Sequence, residues 1–382
     1  MSFRVLHTSD WHLGRALHEE PLLEDQAWAL ERLVTLVKEV RPDALVVAGD
    51  VYDRAVPPAD AVELLDDVLT RLAELGVPVV AIAGNHDSAE RLSFGARLLA
   101  ARGVHLRGAI AGAAEPIPIG DRGLVYALPF VEPDVVRGLD GDEALRGHAA
   151  ATERVLARVR ADAAGRDLPT VLVAHAFVQG AAQTPDSERP VVVGAAGAIP
   201  PETIAGFDYV ALGHLHAAQD VAPGASYSGS LLKYSFSEAD HAKGVVLAEV
   251  ERGRASVRRI PLGARRDVVR LQGRLEELLR RPELAAHAKD LVEVTLEDEG
   301  YVLDAKRKLA ARFPHVLSVV RRELAAAPGA GTFGHQVAGA GRDDLKLFES
   351  FYKAVTDTLP GPEHREAFVG ALAEIERKER AA

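Results

Sequence analysis

Five times between residues 3 and 216, a short apolar run breaks off into Asp, Asn or His, and no other feature constrains the fold as tightly. Asp10-Trp11-His12 follows the run 3–8, Gly49-Asp50-Val51-Tyr52-Asp53 closes 44–49, and Gly84-Asn85-His86-Asp87 follows 78–83. His175 ends 170–175, and Gly213-His214-Leu215-His216 closes 209–213. Further strand-like runs lie at 123–128, 225–228 and 244–250, while 22–40, 59–75, 89–101 and 143–163 carry apolar residues at helical spacing. This alternation predicts an α/β fold whose sheet strands are covered by helices. In open α/β sheets, ligands collect in the crevice at the carboxyl ends of the strands. Motifs placed there would converge from distant parts of the sequence on one pocket.

The donor types limit what that pocket holds. Carboxylate, amide and imidazole without soft sulfur, in a chain that has no cysteine, suit manganese, magnesium, iron or zinc. Asp10 and His12, like His214 and His216, are two residues apart and project to one side if strand geometry continues. Seven candidate ligands (Asp10, His12, Asp50, Asn85, His175, His214 and His216) exceed what one ion needs. They suit two ions sharing a bridging carboxylate, for which Asp50 is the choice. Two such ions can clamp a phosphodiester and acidify an attacking water.

The missing cysteine also excludes disulfides and a thiol nucleophile, and fits a reducing compartment. No apolar run is long enough to span a bilayer and no leader-like pattern precedes Phe3-Arg4-Val5-Leu6-His7, so the expected location is the cytoplasm. The net charge of −11 is segregated: residues 1–250 hold 21 basic and 35 acidic side chains, 251–325 hold 17 and 12, and 326–382 hold 7 and 9. A basic segment beyond an acidic, metal-suited one leaves room for DNA. From 266 the pattern becomes a small α+β unit, with strands 267–271, 290–297 and 316–321 and helices 274–280 and 303–313. An Ala/Gly-rich stretch, 325–341, reads as a flexible linker to two amphipathic helices near 343–358 and 362–379. Their stripes (Leu345, Phe348, Tyr352, Val355 and Leu359, then Phe368, Leu372 and Ile375) cannot be buried by two short helices on each other alone, so a docking surface is expected, either the preceding α+β unit of this chain or a partner.

In order and spacing, D-x-H, G-D-x-x-D, G-N-H-D, a lone H and G-H-x-H resemble the signature of the calcineurin-like metallophosphoesterases. The resemblance implies a sandwich of two sheets flanked by helices, with a small α+β capping domain and a C-terminal helical pair. It implies that Asp10, His12, Asp50 and His216 hold one ion and Asp50, Asn85, His175 and His214 the other. By the same mapping His86 is a catalytic histidine that contacts the scissile phosphate without ligating metal, and Asp53 is the acid that orients it. Leu6 to Gly14, Tyr209 to His216 and above all Tyr227 to Glu238 are similar to the SbcD-type nuclease subunits, a branch that more often has Pro at Leu231 and Phe at Tyr52.

That similarity implies a nuclease domain at 1–264, a DNA-binding capping domain at 265–324, a linker at 325–341 and a partner-binding helical segment at 342–382. It implies a nuclease with two Mn2+ that acts as a double-strand 3′–5′ exonuclease and single-strand or hairpin endonuclease, in DNA repair, recombination and replication-fork processing. The implied assembly is a homodimer joined by an SbcC-type, SMC-like ATPase into a heterotetramer. The chain has no Gly-x-x-x-x-Gly-Lys-Ser/Thr loop, so any ATP dependence would come from that partner.

Taken singly, each motif is more often a turn, because Gly, Asn and Asp favour turns for backbone reasons. His175 alone would be a core histidine. Only the ordered set reverses those readings. His7, His18, His105, His148, His241, His287, His315, His335 and His364 lie outside the motifs and read as structural or surface residues. Trp11 is either loop packing or a base-stacking platform, and Arg54 either a phosphate contact or a solvated side chain. Arg258, Arg259, Arg265, Arg266, Lys306, Arg307, Lys308, Arg312, Arg321 and Arg322 either line a DNA path or form a solvated face. Two other functions compete: a phosphoesterase for small nucleotides or phosphoproteins, and an inactive scaffold that binds DNA or a partner. A small substrate needs neither the 227–238 block nor the basic unit, and a relic would have lost a ligand or His86.

Overall fold

The computed structural model describes residues 2–185, 197–298, 302–321, 344–356 and 358–379. The chain divides into two compact units, Met1–Arg322 and Glu323–Ala382. The linker reading of 325–341, and Arg322, lie outside the described residues.

In the first unit, two six-stranded sheets face each other. One runs Arg254–Pro261, Gly244–Glu251, Phe3–Thr8, Ala44–Val47, Val79–Ile82, Val104–Arg107; the other runs Gln219–Ala222, Ala225–Tyr227, Tyr209–Gly213, Thr170–His175, Gly123–Leu128, Ile117–Ile119. Phe3, Val5, Val46, Val80 and Ile82 of the first meet Val125, Val171, Val173, Tyr209 and Ala211 of the second in one core. The opposite face of the first sheet is covered by helices Leu23–Val40 and Ala59–Glu74, through Leu30, Leu33, Val37, Leu65 and Leu69. Helix Gly147–Ala163 covers the other sheet through Val155, Leu156 and Val159. With both faces covered, the central strands are continuous apolar runs and not alternating ones. The expected α/β sandwich is the architecture found.

Some elements differ from expectation. The helix expected over 89–101 breaks at Gly95 (φ 72°) into Ala89–Leu92 and Ala96–Ala100. The helix expected from 143 starts at Gly147, after a separate helix, Pro133–Asp140, that Gly141 ends in the left-handed region. Strands Val104–Arg107, Ile117–Ile119, Gln219–Ala222 and Arg254–Pro261 escape the sequence pattern because each is an outer strand, short or mostly exposed.

A small parallel sheet, Val268–Gly273, Leu291–Leu296, Val316–Arg321, encloses its own core of Leu271, Leu278, Val294, Leu309 and Phe313. It is tied to the sandwich through Arg266, whose guanidinium meets the buried Asp25 at 2.5 Å and Glu20 at 2.6 Å. Asp25 is buried but Arg266 is partly exposed, so removing one partner costs less than the roughly 3–5 kcal/mol of a fully buried pair. In the second unit, helices Asp344–Thr356 and Pro362–Glu379 pack with Phe348 stacked on Phe368 (centroids 4.2 Å apart, planes at 9°) and Arg365 paired with Glu349 at 2.7 Å. The helices therefore meet through part of their stripes, while Phe351 and Val369 on the helices and Leu359 between them stay exposed.

Candidate metal centre

Strand geometry does not continue through the motifs, which corrects the reason given above for their shared direction. Asp10 (φ 52°), His12 (φ 45°), Asp50 (φ 48°) and His214 (φ 111°) all sit at positive φ. Each such non-glycine residue costs about 1–3 kcal/mol and persists only where its surroundings over-determine it. Here the loops interlock: Asp10 N–H donates to the Gly49 carbonyl at 3.0 Å and His12 N–H to the Asp50 carbonyl at 2.9 Å. The glycines of the motifs are explained by crowding. A Cβ on Gly84 would lie 2.1 Å from Asp50 Oδ1, and one on Gly213 1.8 Å from the Ala48 carbonyl oxygen.

All seven candidate ligands come together. Six are buried and Asn85 is half-buried. Donor atoms of Asp10, His12 and His216 lie within 4.8 Å of one another, as do those of His12, Asp50 and His86, and those of Asp10, Asp50 and His175. Asp50 Oδ2 sits amid three imidazole nitrogens, His175 Nε2 at 3.5 Å, His12 Nε2 at 3.7 Å and His86 Nε2 at 3.9 Å. The Asp10 carboxylate accepts the His214 N–H at 3.0 Å and the Ser9 hydroxyl at 2.5 Å.

A divalent cation fits this donor set, because lone pairs confront each other across it. His216 Nδ1 donates to Glu238 at 3.0 Å, so a neutral ring presents a bare Nε2; it lies 3.1 Å from His12 Nε2, and with the His12 proton on Nδ1, the nitrogen that faces Asp53, the two lone pairs meet. His175 Nδ1 donates to the Ala48 carbonyl at 2.9 Å, leaving its Nε2 facing Asn85 Oδ1 at 2.9 Å. Protonation is an expensive way to relieve these contacts. Burial, reinforced by neighbouring imidazoles, holds His12 well below its ordinary pKa and His214 at about 3, and burial also lowers His175. Burial would raise the Asp50 carboxyl, but the His175 and His86 imidazoles and the His86 N–H outweigh it and keep the group ionised.

His86 Nδ1 donates to the main-chain carbonyl of Asp53 at 2.7 Å. The Asp53 carboxylate turns elsewhere, 3.8 Å from His12 Nδ1 and 3.6 Å from Arg15. The structure thus joins Asp53 to His86, but through the backbone. Trp11 is 1 % exposed and donates to Thr8 Oγ1 at 3.0 Å, which settles it as packing. Arg54 is exposed, with no polar partner among the described residues. Of the basic residues, Arg265 and Arg266 pair with Glu24, Asp25 and Glu20, Arg259 pairs with Asp220, and Arg312 donates to the Leu279 and Arg281 carbonyls. These hold structure together; Arg258, Lys306, Arg307 and Lys308 are exposed, with Lys306 donating to the Leu317 carbonyl at 2.9 Å and Arg307 paired with Asp304 at 2.8 Å.

Sequence reasoning passed over three groups. Asp87 accepts the N–H groups of Gly84, Val51 and Tyr52 at 2.9–3.1 Å and so clamps two motif loops together; burial and then the charge of Asp50 push its carboxyl up to about 7 against those donors. Gln26 holds the Trp11 and His12 carbonyls, at 3.2 and 2.8 Å. Glu238 holds His216. Asp87 and Glu238 do stand inside quoted motifs, but a single acid without a spaced partner carries no signal of its own.

Comparison with known proteins shows the family. Residues 3–218 match the calcineurin-like phosphoesterase family, and residues 264–356 match the type 5 capsule protein repressor C-terminal domain family. Over 355 residues the chain is 30% identical to the SbcD subunit of the SbcCD nuclease of Staphylococcus saprophyticus, covering 92% of this chain and 93% of that protein. The crystal structure of TT1561 of Thermus thermophilus aligns with a TM-score of 0.40 at 16% identity, over 68% of this chain and 99% of that one, a likeness too distant to add to the fold.

Proposed function

The chain belongs to the calcineurin-like phosphoesterase family, and on that premise we propose that it is a manganese-dependent DNA nuclease of the SbcD type. It is a metal-dependent phosphodiesterase. The observation that carries the two-ion reading is the position of Asp50 Oδ2, within 3.5–3.7 Å of one nitrogen from each ligand group, His175 and His12. In this reading Asp10, His12, Asp50 and His216 hold one ion, and Asp50, Asn85, His175 and His214 the second.

Bound divalent ions supply Lewis-acid charge to the phosphodiester and lower the pKa of the attacking water. The chain does the rest. The Asp53 carbonyl holds the Nδ1 proton of His86, which aims Nε2 at the centre, where a protonated ring can hand its proton to the leaving oxygen. The interlocked left-handed loops hold the ligands in place before substrate arrives.

The proposed substrates are duplex ends, cut 3′–5′, and single-strand or hairpin DNA, in repair, recombination and fork processing in the cytoplasm. Among the described residues, no helix is long and apolar enough to cross a membrane. The proposed partner is an SbcC-type ATPase gripped by the C-terminal helices, which expose Phe351 and Val369, with Leu359 exposed between them. A homodimer is supported by exposed Phe94 and Leu98, 86 % and 80 % accessible, near the metal-site loop, to which Arg91 bonds at the Ala55 carbonyl. The deciding experiment is cleavage of end-labelled duplex and hairpin DNA with manganese, with and without the ATPase. Release of nucleotides supports the reading. Turnover confined to small phosphodiesters such as cyclic nucleotides would favour the small-substrate enzyme, and a chain that binds no divalent ion would favour the scaffold.

A further inference from the structure

The carboxylate of Glu238 is completely buried and shared between two groups. Oε1 accepts from His216 Nδ1 at 3.0 Å, while Oε2 meets the Lys243 ammonium at 2.5 Å and the Ser230 hydroxyl at 3.4 Å. Lys243 returns to the same histidine, donating to the His216 carbonyl at 2.7 Å and to Ser230 Oγ at 2.8 Å. An ionised acceptor on Nδ1 fixes the tautomer and ring orientation of a metal-facing histidine and raises its basicity.

The turn that carries Glu238, Phe236–Glu238, is gripped from its other side by the small domain, whose strand Val268–Gly273 packs against it. Lys233 spans the junction: its ammonium donates to the Ala239 carbonyl at 2.5 Å and lies 2.8 Å from Asp267 Oδ1 and 3.5 Å from the Val268 carbonyl. Arg270 of the small domain pairs with Asp240. Beside these contacts lies a cavity of about 330 Å³, lined among others by Leu22, Lys233, His241, Lys243, Asp267 and Val268. Close-packed elements transmit strain to one another.

We propose that Glu238 is a positioning residue for His216, and that the segment from Lys233 to Lys243 transmits the placement of the small domain to the metal centre. The inference rests on His216 being a metal ligand. Anything that shifts the small domain then alters metal affinity, and metal binding biases the small domain in return.

The test uses the full-length protein and Mn2+ alone, titrated in competition with a chelator and without substrate, alongside the melting temperature of the metal-free protein. Glu238→Gln preserves shape but removes the charge, and is expected to weaken manganese at one site roughly 10- to 100-fold. Lys233→Met cuts the junction without touching a ligand or Glu238, and is expected to weaken the same site several-fold. Because both act through one chain of contacts, the double variant should lose less than the product of the two. Unchanged affinity in a well-folded Glu238→Gln overturns the positioning role. Unchanged affinity in Lys233→Met, or losses that simply multiply, overturns the transmission; this arm decides even where Glu238→Gln does not fold. Wild-type protein that takes up no manganese would instead overturn the ligand assignment beneath both.

Discussion

His86 Nδ1 is bonded to the carbonyl oxygen of Asp53 at 2.7 Å, while the Asp53 carboxylate faces His12 and Arg15. A main-chain acceptor survives replacement of its side chain. His86→Gln should therefore keep its metal and lose on the order of 100-fold or more in turnover, as expected for loss of a general acid. Asp53→Ala should leave His86 oriented and instead loosen the ion held by His12, whose buried Nδ1 has no closer acceptor. Turnover at saturating manganese, measured beside manganese affinity, separates the two. An Asp53→Ala enzyme as slow as His86→Gln at saturating metal would show that the carboxylate, not the carbonyl, is what matters.

Asp50 is positioned to serve both ions and Asn85 only one. Asp50→Ala should empty the centre, whereas Asn85→Ala should keep one ion at near wild-type affinity and weaken the other on the order of 100-fold. Manganese per chain after dialysis reads this directly. Two ions retained in Asp50→Ala would remove the bridge.

The sandwich was legible in the sequence because its central strands are buried on both faces, and the five motifs because each interrupts such a strand. Less visible was how the motifs work. Asp10, His12, Asp50 and His214 act from left-handed loops, which a period-two reading of strands cannot express. Arg254–Pro261 was missed because an outer strand carrying three arginines lacks an apolar pattern. The helix expected over 89–101 contains Gly95, and only its positive φ makes that glycine a break. Glu238 and Asp87 depend on partners 22 and 36 residues away, His216 and Val51, which spacing rules do not reach.

His7 offers a test of the core that is independent of metal ligation. It is fully buried between the sheets, bonded to Tyr209 Oη at 3.0 Å and the Leu212 carbonyl at 3.1 Å, and burial holds its pKa down at about 3. Between pH 3 and 6.5 the unfolded chain binds a proton here that the folded chain does not, so this contribution to stability is present above pH 6.5 and is lost as pH falls. From pH 8 to pH 5 the loss due to this one group is about 2 kcal/mol. In His7→Gln the decline in unfolding free energy over that range should shrink by about that amount, as read from urea titrations of the metal-free protein. An identical pH dependence in both proteins would mean that His7 binds its proton in the fold as it does in the unfolded chain.

With Arg259, Arg265, Arg266 and Arg312 engaged in structure, the exposed run Lys306, Arg307 and Lys308, of which Lys306 donates to the Leu317 carbonyl at 2.9 Å, is the better candidate for binding phosphates. Arg307 is only loosely held, by Asp304 at 2.8 Å on the surface, and surface pairs of this kind contribute roughly 0–1 kcal/mol. Reversing all three to Glu should weaken DNA binding and reduce the salt slope by about 1 for each phosphate no longer neutralised, while hydrolysis of a small chromogenic phosphodiester stays unchanged. An unaltered slope would mark the run as an ordinary solvated face.

Residues 342–382 carry the last prediction. Phe348 on Phe368 and Glu349 with Arg365 hold the two helices together, so the pair has a fold of its own, yet Phe351 and Leu359 remain 63 % and 62 % exposed and Val369 49 %. Burying a side chain of this size is worth about 1.5–3 kcal/mol, a strong drive toward a further apolar surface. The helices also form part of a compact unit distinct from Met1–Arg322. Their removal should therefore leave the sandwich and its metal centre standing: manganese-dependent cleavage and the melting temperature of the truncated chain should stay near those of the full-length protein. Co-purification with the ATPase should be abolished, because an amphipathic helix pair with an uncovered face is a common means of gripping a partner helix. A truncated chain that melts well below the full-length protein would show that the face is covered from within the chain. Unchanged affinity for the ATPase would show that the partner binds elsewhere.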